Sequence, residues 1–132
     1  MRALLDTNVF LEVLLKQERS EDVKKLLSNT ECELFISDFS LHSIGILPFR
    51  TKQFDIFREF VTEMVQRAAV GILALSASEF SVISDSAKKY GLDFDDAYQY
   101  SVATKYGLTL ISFDTDFDRT DCRRKTPRDV NK

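Results

Sequence analysis

Short apolar runs alternate along the whole chain with longer segments of helical period, and this pattern limits the fold more than any other feature. Ala3-Leu4-Leu5, Leu34-Phe35-Ile36, Ile72-Leu73-Ala74-Leu75 and Leu108-Thr109-Leu110-Ile111 read as short buried strands. Phe10, Leu11, Leu14 and Leu15 repeat at helical spacing, with Thr7 or Asn8 placed to cap the free N–H groups. Ser20 opens a second helix with Val23, Leu26 and Leu27 inward. Ser37 or Asp38 caps a third, carrying Phe39, Leu41, Ile44 and Leu47 and kinked or ended by Pro48. Phe54, Phe57, Val61 and Met64 mark a fourth. Ser76 and Glu79 form a capping box before Phe80, Ile83 and Ala87, and Gly91 closes that helix. Asp93 opens the last long one, with Phe94, Ala97, Tyr98 and Ser101 on one side. Strands alternating with helices predict a parallel sheet covered on both faces.

The 132 residues suit one domain, 1–132, and no repeat or linker divides them. No apolar stretch reaches about 18 residues, so no membrane-spanning helix is expected. Asp6 interrupts any signal-peptide core, and Cys32 and Cys122 lack metal-ligand spacing. These features predict a cytoplasmic protein with two free thiols. The net charge of -3 is not the balance of a typical nucleic-acid binder. From Arg119 to Lys132, however, six basic residues face two acids. That strip can contact phosphates, run as a solvated tail, or pack as an edge strand near Thr126-Pro127.

In open parallel sheets the ligand site lies beyond the carboxyl ends of the strands. Asp6 follows the first strand, Asp38 the second, and Asp114 and Asp116 the last. Each acid alone has a structural explanation: Asp6 and Asp93 suit helix caps, Asp96 a first helical turn, and Asp114, Asp116 and Asp118 a solvated loop. Crowded together, carboxylates repel and resist ionisation unless a cation joins them. Oxygen-only ligands favour Mg²⁺ or Mn²⁺, and a single histidine, His42, argues against zinc. Such ions serve phosphate chemistry. Tyr98, Tyr100 and Phe113 flank the acids and are candidates for base stacking, although most aromatic residues read as core.

Three segments resemble one family in its order and spacing. Leu5-Asp6-Thr7-Asn8-Val9-Phe10 looks like the opening of PIN domains. Asp96-Ala97-Tyr98-Gln99-Tyr100-Ser101-Val102-Ala103 is similar to their central helix, and Gly107 through Phe117 to their final strand and acidic loop. The similarity spans essentially the whole chain, whose length suits VapC-type toxin ribonucleases. It implies a three-layer α/β/α sandwich with a four- or five-stranded parallel sheet. It also implies Mg²⁺- or Mn²⁺-dependent cleavage of single-stranded RNA by metal-activated water, leaving a 5′-phosphate and a 3′-hydroxyl. Carried over, Asp6, Asp96, Asp114 and Asp116 are metal ligands or their close supports, and Asn8 and Ser112 orient them. A homodimer and an inhibitory antitoxin partner are implied as well.

One departure is clear. The family's usual glutamate in the helix after the second strand falls on Ser43, which cannot supply the charge. Asp38 is a possible substitute, five residues earlier. The departure puts a second metal in question and raises an alternative: a degenerate PIN domain that binds RNA or a protein without cutting. A receiver domain needs an acid pair after the first strand, where Thr7 stands instead. A haloacid-dehalogenase-type phosphatase needs an aspartate where Asn8 stands.

Overall fold

The computed structural model describes residues 1–132. Strands β1 (Arg2–Leu5), β2 (Glu33–Ser37), β3 (Gly71–Leu73) and β4 (Thr109–Ile111) form one parallel sheet in the order β3-β2-β1-β4. Seven α-helices accompany it, α1 (Thr7–Leu14), α2 (Ser20–Leu27), α3 (Asp38–Arg50), α4 (Phe54–Val61), α5 (Phe80–Tyr90), α6 (Phe94–Tyr106) and α7 (Pro127–Val130), with a π-helical turn at Thr62–Arg67 and 3₁₀ segments at Ala77–Glu79 and Thr115–Arg119. Side chains alternate across a strand, and here they divide between two cores. Ala3, Leu5, Leu34, Ile36 and Ile111 pack with residues of α1 to α4. Leu4, Phe35 and Leu110 pack with residues of α5 and α6. The result is the expected three-layer sandwich.

The sheet has four strands plus a fragment of a fifth. Lys125 bridges to Ile111 in parallel, its N–H donating to the Leu110 carbonyl at 2.9 Å and its carbonyl accepting from Ser112 at 3.0 Å. The basic strip therefore touches the edge of β4 at its midpoint, Lys125. Much of its charge is paired: Arg119 with Asp116, Arg124 with Asp118 and Arg128 with Asp22.

Several local expectations change. Asp6, not Thr7 or Asn8, caps α1, because both of those residues already lie in the first helical turn. Pro48 does not end α3, which runs on to Arg50. As a proline it gives no N–H to the Ile44 carbonyl, a local loss that the packing of its buried ring offsets. The buried stripe of α3 is Ser40, Ile44 and Pro48, so Leu47 is left exposed. In α4 Phe60 enters the core edge-on to Phe10, while Phe54 stays outside. Strand β3 stops at Leu73 because tyrosines of α6 take the next backbone groups. The Leu75 N–H donates to the Tyr98 hydroxyl, and the Tyr106 hydroxyl donates to the Ala74 carbonyl. At Gly71 a Cβ would stand 2.9 Å from the Phe35 ring, so β3 can lie this close only with glycine there.

Helix α6 is not amphipathic in the expected sense. Residues Ala97 through Val102 and on to Ala103 are all buried, covered by the sheet, α5 and the loop after β4, while Phe94 at its start is exposed. A helix enclosed on all sides must satisfy any polar side chain internally. That requirement shapes the site.

Candidate metal centre

The chain runs from β1 outward to β2 and β3, then returns to place β4 on the other side of β1. The strand order reverses between β1 and β4, where side chains from both carboxyl ends meet. Asp6 follows β1 and Ser112 follows β4. The Asp6 N–H donates to the Ile111 carbonyl at 2.9 Å, which holds the two strand ends together. Asp114 then caps the 3₁₀ segment Thr115–Arg119 by accepting from the Asp116 N–H at 2.8 Å. Asp96 comes from the first turn of α6.

Asp96, Asp114 and Asp116 offer carboxylate oxygens that all lie within 4.8 Å of one another. Asp6 is not one of that trio. It borders the same cleft of about 230 Å³, which Asn8, Ser43, Asp95, Asp96 and Asp114 also line. The trio is half-buried, whereas Asp6 is 6% exposed.

The Ser112 hydroxyl is the hub of the site. It donates to Asp6 Oδ2 at 2.7 Å and accepts from Asn8 Nδ2 at 3.3 Å and from the Asp114 N–H at 2.9 Å. Asn8 Oδ1 accepts from the Phe113 N–H at 3.3 Å. Asn8 and Ser112 thus tie α1, β1 and the acidic loop together. Below Phe113 the arrangement continues: the Arg19 guanidinium stacks 3.7 Å from its ring centre and bonds the buried Glu12 at 3.0 Å.

The electrostatics are those of a site short of positive charge. Burial, and then the charges of Asp114, Asp6, Asp95 and Asp116, push the Asp96 carboxyl up to about 7. Burial also raises Asp6, against the lowering effect of its hydrogen bonds from Gln99, Ser112 and Thr7. Carboxyls held this way welcome a divalent cation, and an all-oxygen donor set suits a hard one. The residues present fit Mg²⁺ or Mn²⁺.

Other candidates are placed elsewhere. Asp38 accepts from the Tyr98 hydroxyl at 2.6 Å and from the Phe39 N–H at 2.7 Å, and it does not line the cleft. Both of these bonds fall on its Oδ1. Tyr98 and Tyr100 are buried, Tyr100 donating to Asp121, so neither presents a face for stacking. Four partners were not legible beforehand: Gln99, Ser40, and the pair Glu12–Arg19. Gln99 and Glu12 are polar residues inside otherwise apolar helical stretches, and that is the one signal that marks them.

The family model for the PIN domain matches residues 3–122. Among curated protein sequences none matches. Solved structures share the fold. The sarcin-ricin-loop-cleaving VapC toxin of Mycobacterium tuberculosis superposes with a TM-score of 0.76 at 17% identity, covering 95% of this chain and 99% of that one. A toxin–antitoxin complex from Klebsiella pneumoniae gives 0.73 at 23% identity, with 95% and 97% covered. FitAcB from Neisseria gonorrhoeae gives 0.71 at 24% identity, with 97% and 99% covered. With the family model spanning nearly the whole chain and the acids of its three motif segments meeting at one strand-order reversal, this chain belongs to the PIN-domain family.

Proposed function

We propose that the protein is an endoribonuclease that requires Mg²⁺ or Mn²⁺, hydrolyses single-stranded RNA, and acts as the toxin of a toxin–antitoxin pair. The observation that carries the reading is the convergence of Asp96, Asp114 and Asp116 within 4.8 Å beside the buried Asp6. Asp96, Asp114 and Asp116 would hold the cation, joined by Asp6 from the floor of the cleft. When bound, the cation supplies Lewis acidity that lowers the proton affinity of water and offsets phosphate charge. Ser112 keeps Asp6 and the Asp114 backbone in register, and Asn8 keeps Ser112 in place. These bonds hold the acids in position before substrate arrives.

The toxin role and the antitoxin partner rest on likeness to structures described as toxin–antitoxin complexes. A surface suited to protein partners supports them. Ile46, Leu47, Phe49, Phe54 and Ile56 remain exposed on α3 and α4, and exposed apolar side chains grouped on one helix pair are suited to a protein partner. A homodimer would use such area as well. No helix is long and apolar enough to cross a membrane, which agrees with action in the cytoplasm.

Ser43 at the cleft favours a second reading, in which the domain binds RNA or a partner without cutting. One experiment separates the two. Labelled single-stranded RNAs are incubated with the protein and Mn²⁺, Mg²⁺ or EDTA, beside an Asp6→Asn control. Cleavage that needs the metal and vanishes in the control is expected. Cleavage retained by Asp6→Asn would sink the assigned site. A folded wild type that binds Mn²⁺ and RNA but never cuts would establish the second reading.

A further inference from the structure

The buried polar network around Asp6 contains a residue that the nuclease reading above does not use. Gln99 lies one helical turn after Asp96 in α6 and is 1% exposed. Positions three apart on a helix face the same way, so α6 sends both side chains toward the cleft. Gln99 Nε2 donates to Asp6 Oδ1 at 2.9 Å and to Ser40 Oγ at 2.7 Å. Ser40 Oγ in turn meets Thr7 Oγ1 at 2.7 Å and accepts from Ser37 Oγ at 3.2 Å. One amide thereby fastens α6 to the end of β1 and to α3.

The other half of the amide has no partner. Gln99 Oε1 is buried without a hydrogen bond. Turning the amide over would set Oε1 against the carboxylate oxygen of Asp6, acceptor against acceptor. The orientation is therefore dictated by what Asp6 needs, and the unpaired carbonyl is a cost that a leucine or methionine in this enclosed helix would avoid.

The consequence lies in the lone pairs of Asp6. A carboxylate has about four acceptor sites, two on each oxygen. The Thr7 N–H at 2.8 Å and Gln99 Nε2 occupy both sites on Oδ1, and Ser112 Oγ occupies one on Oδ2. A single acceptor site on Oδ2 remains. We propose that Gln99 is a positioning residue that closes Oδ1 of Asp6, so that Asp6 meets a divalent cation through Oδ2 alone. This role rests on the metal-dependent reading of the cleft.

The test is Mn²⁺ titration by calorimetry of the full chain, without RNA, for wild type, Gln99→Met and Ser40→Ala. Gln99→Met keeps the volume and removes both donors. It is expected to weaken Mn²⁺ binding about 10- to 100-fold, the usual loss when a ligand's hydrogen-bond partner is removed. Ser40→Ala breaks the other bond of the same amide and leaves the Asp6 contact, so it is expected to lower the melting temperature while Mn²⁺ affinity stays at the wild-type value. Gln99→Asn, one methylene short of Asp6, is expected to match Gln99→Met and serves if the latter does not fold. Wild-type affinity in either folded Gln99 variant, or an equal loss in Ser40→Ala, would overturn the role. A wild type that does not bind Mn²⁺ at all would overturn the cation site itself and the role of Gln99 with it.

Discussion

The Ser112 hydroxyl donates to Asp6 Oδ2 at 2.7 Å across 106 residues of sequence, joining the carboxyl ends of β4 and β1. Because the same oxygen accepts from Asn8 and from the Asp114 N–H, removing it strands three buried or half-buried polar groups. Ser112→Ala should cost about 1–3 kcal/mol of stability, the range for leaving buried polar partners unsatisfied. It should also weaken Mn²⁺ binding by roughly tenfold or more. Urea denaturation and Mn²⁺ titration on the same preparation check both, and an unchanged midpoint would contradict the hub role.

The metal-free protein should lose stability as pH rises toward neutrality. Asp96 is pushed up to about 7, chiefly by burial and then by Asp114, against an ordinary value of 3.8. A carboxyl whose folded value lies above its unfolded one binds its proton more tightly when folded. Its stabilising share is present in full below the ordinary carboxylate range and disappears as pH passes through about 7. Asp6, raised chiefly by burial, acts in the same direction. Melting temperatures of the apo protein should therefore fall between about pH 5 and about pH 8, and less steeply in Asp96→Asn. Saturating Mn²⁺ should flatten or reverse the trend, because ligands bind the ion deprotonated. An apo profile that rises over this range would contradict the assignment.

Ser43→Glu should trade stability for metal. The position lines the cleft with Asp95, Asp96 and Asp114, so a new carboxylate meets like charges. The metal-free melting temperature should drop, while Mn²⁺ affinity should rise on the order of tenfold, since affinity follows the charge count of the ligand set. Calorimetry and thermal denaturation measured together decide it. A gain in neither binding nor cleavage would show that the serine does not limit the site.

Asp38 and Tyr98 form a hydrogen-bonded pair beside the metal cleft. The Tyr98 hydroxyl donates to Asp38 at 2.6 Å and accepts from the Leu75 N–H at 3.2 Å. Tyr98→Phe should cost about 1–2 kcal/mol, the net worth of bonds of this kind, one of them to a charged group. Mn²⁺ affinity should not move. A loss of metal binding in Tyr98→Phe would bring Asp38 back as a ligand.

The sequence by itself determined what depends on neighbours a few residues apart. Short apolar runs marked all four strands, and the pleat then sends Ala3 and Leu5 to one sheet face and Leu4 to the other. Helical period marked α1 to α6, and the capping box at Ser76 and Glu79 and the left-handed Gly91 stand where local chemistry puts them. Acids directly after strands were legible for the same reason, because the end of a parallel strand is a fixed address. Burial on all sides of α6 was not legible, since periodicity reports one apolar face and α6 has none that differs from the rest. Nor was the diversion of Asp38 to Tyr98, 60 residues away, or the grip of Gln99 on Asp6 across 93 residues. Hydrogen-bond partners and carboxyl acidity depend on distance and on exclusion of water, and both exist only once distant segments pack. The tertiary structure alone therefore decided which acids share one cleft, which oxygen of Asp6 stays open, and why Asp96 holds its proton to about 7.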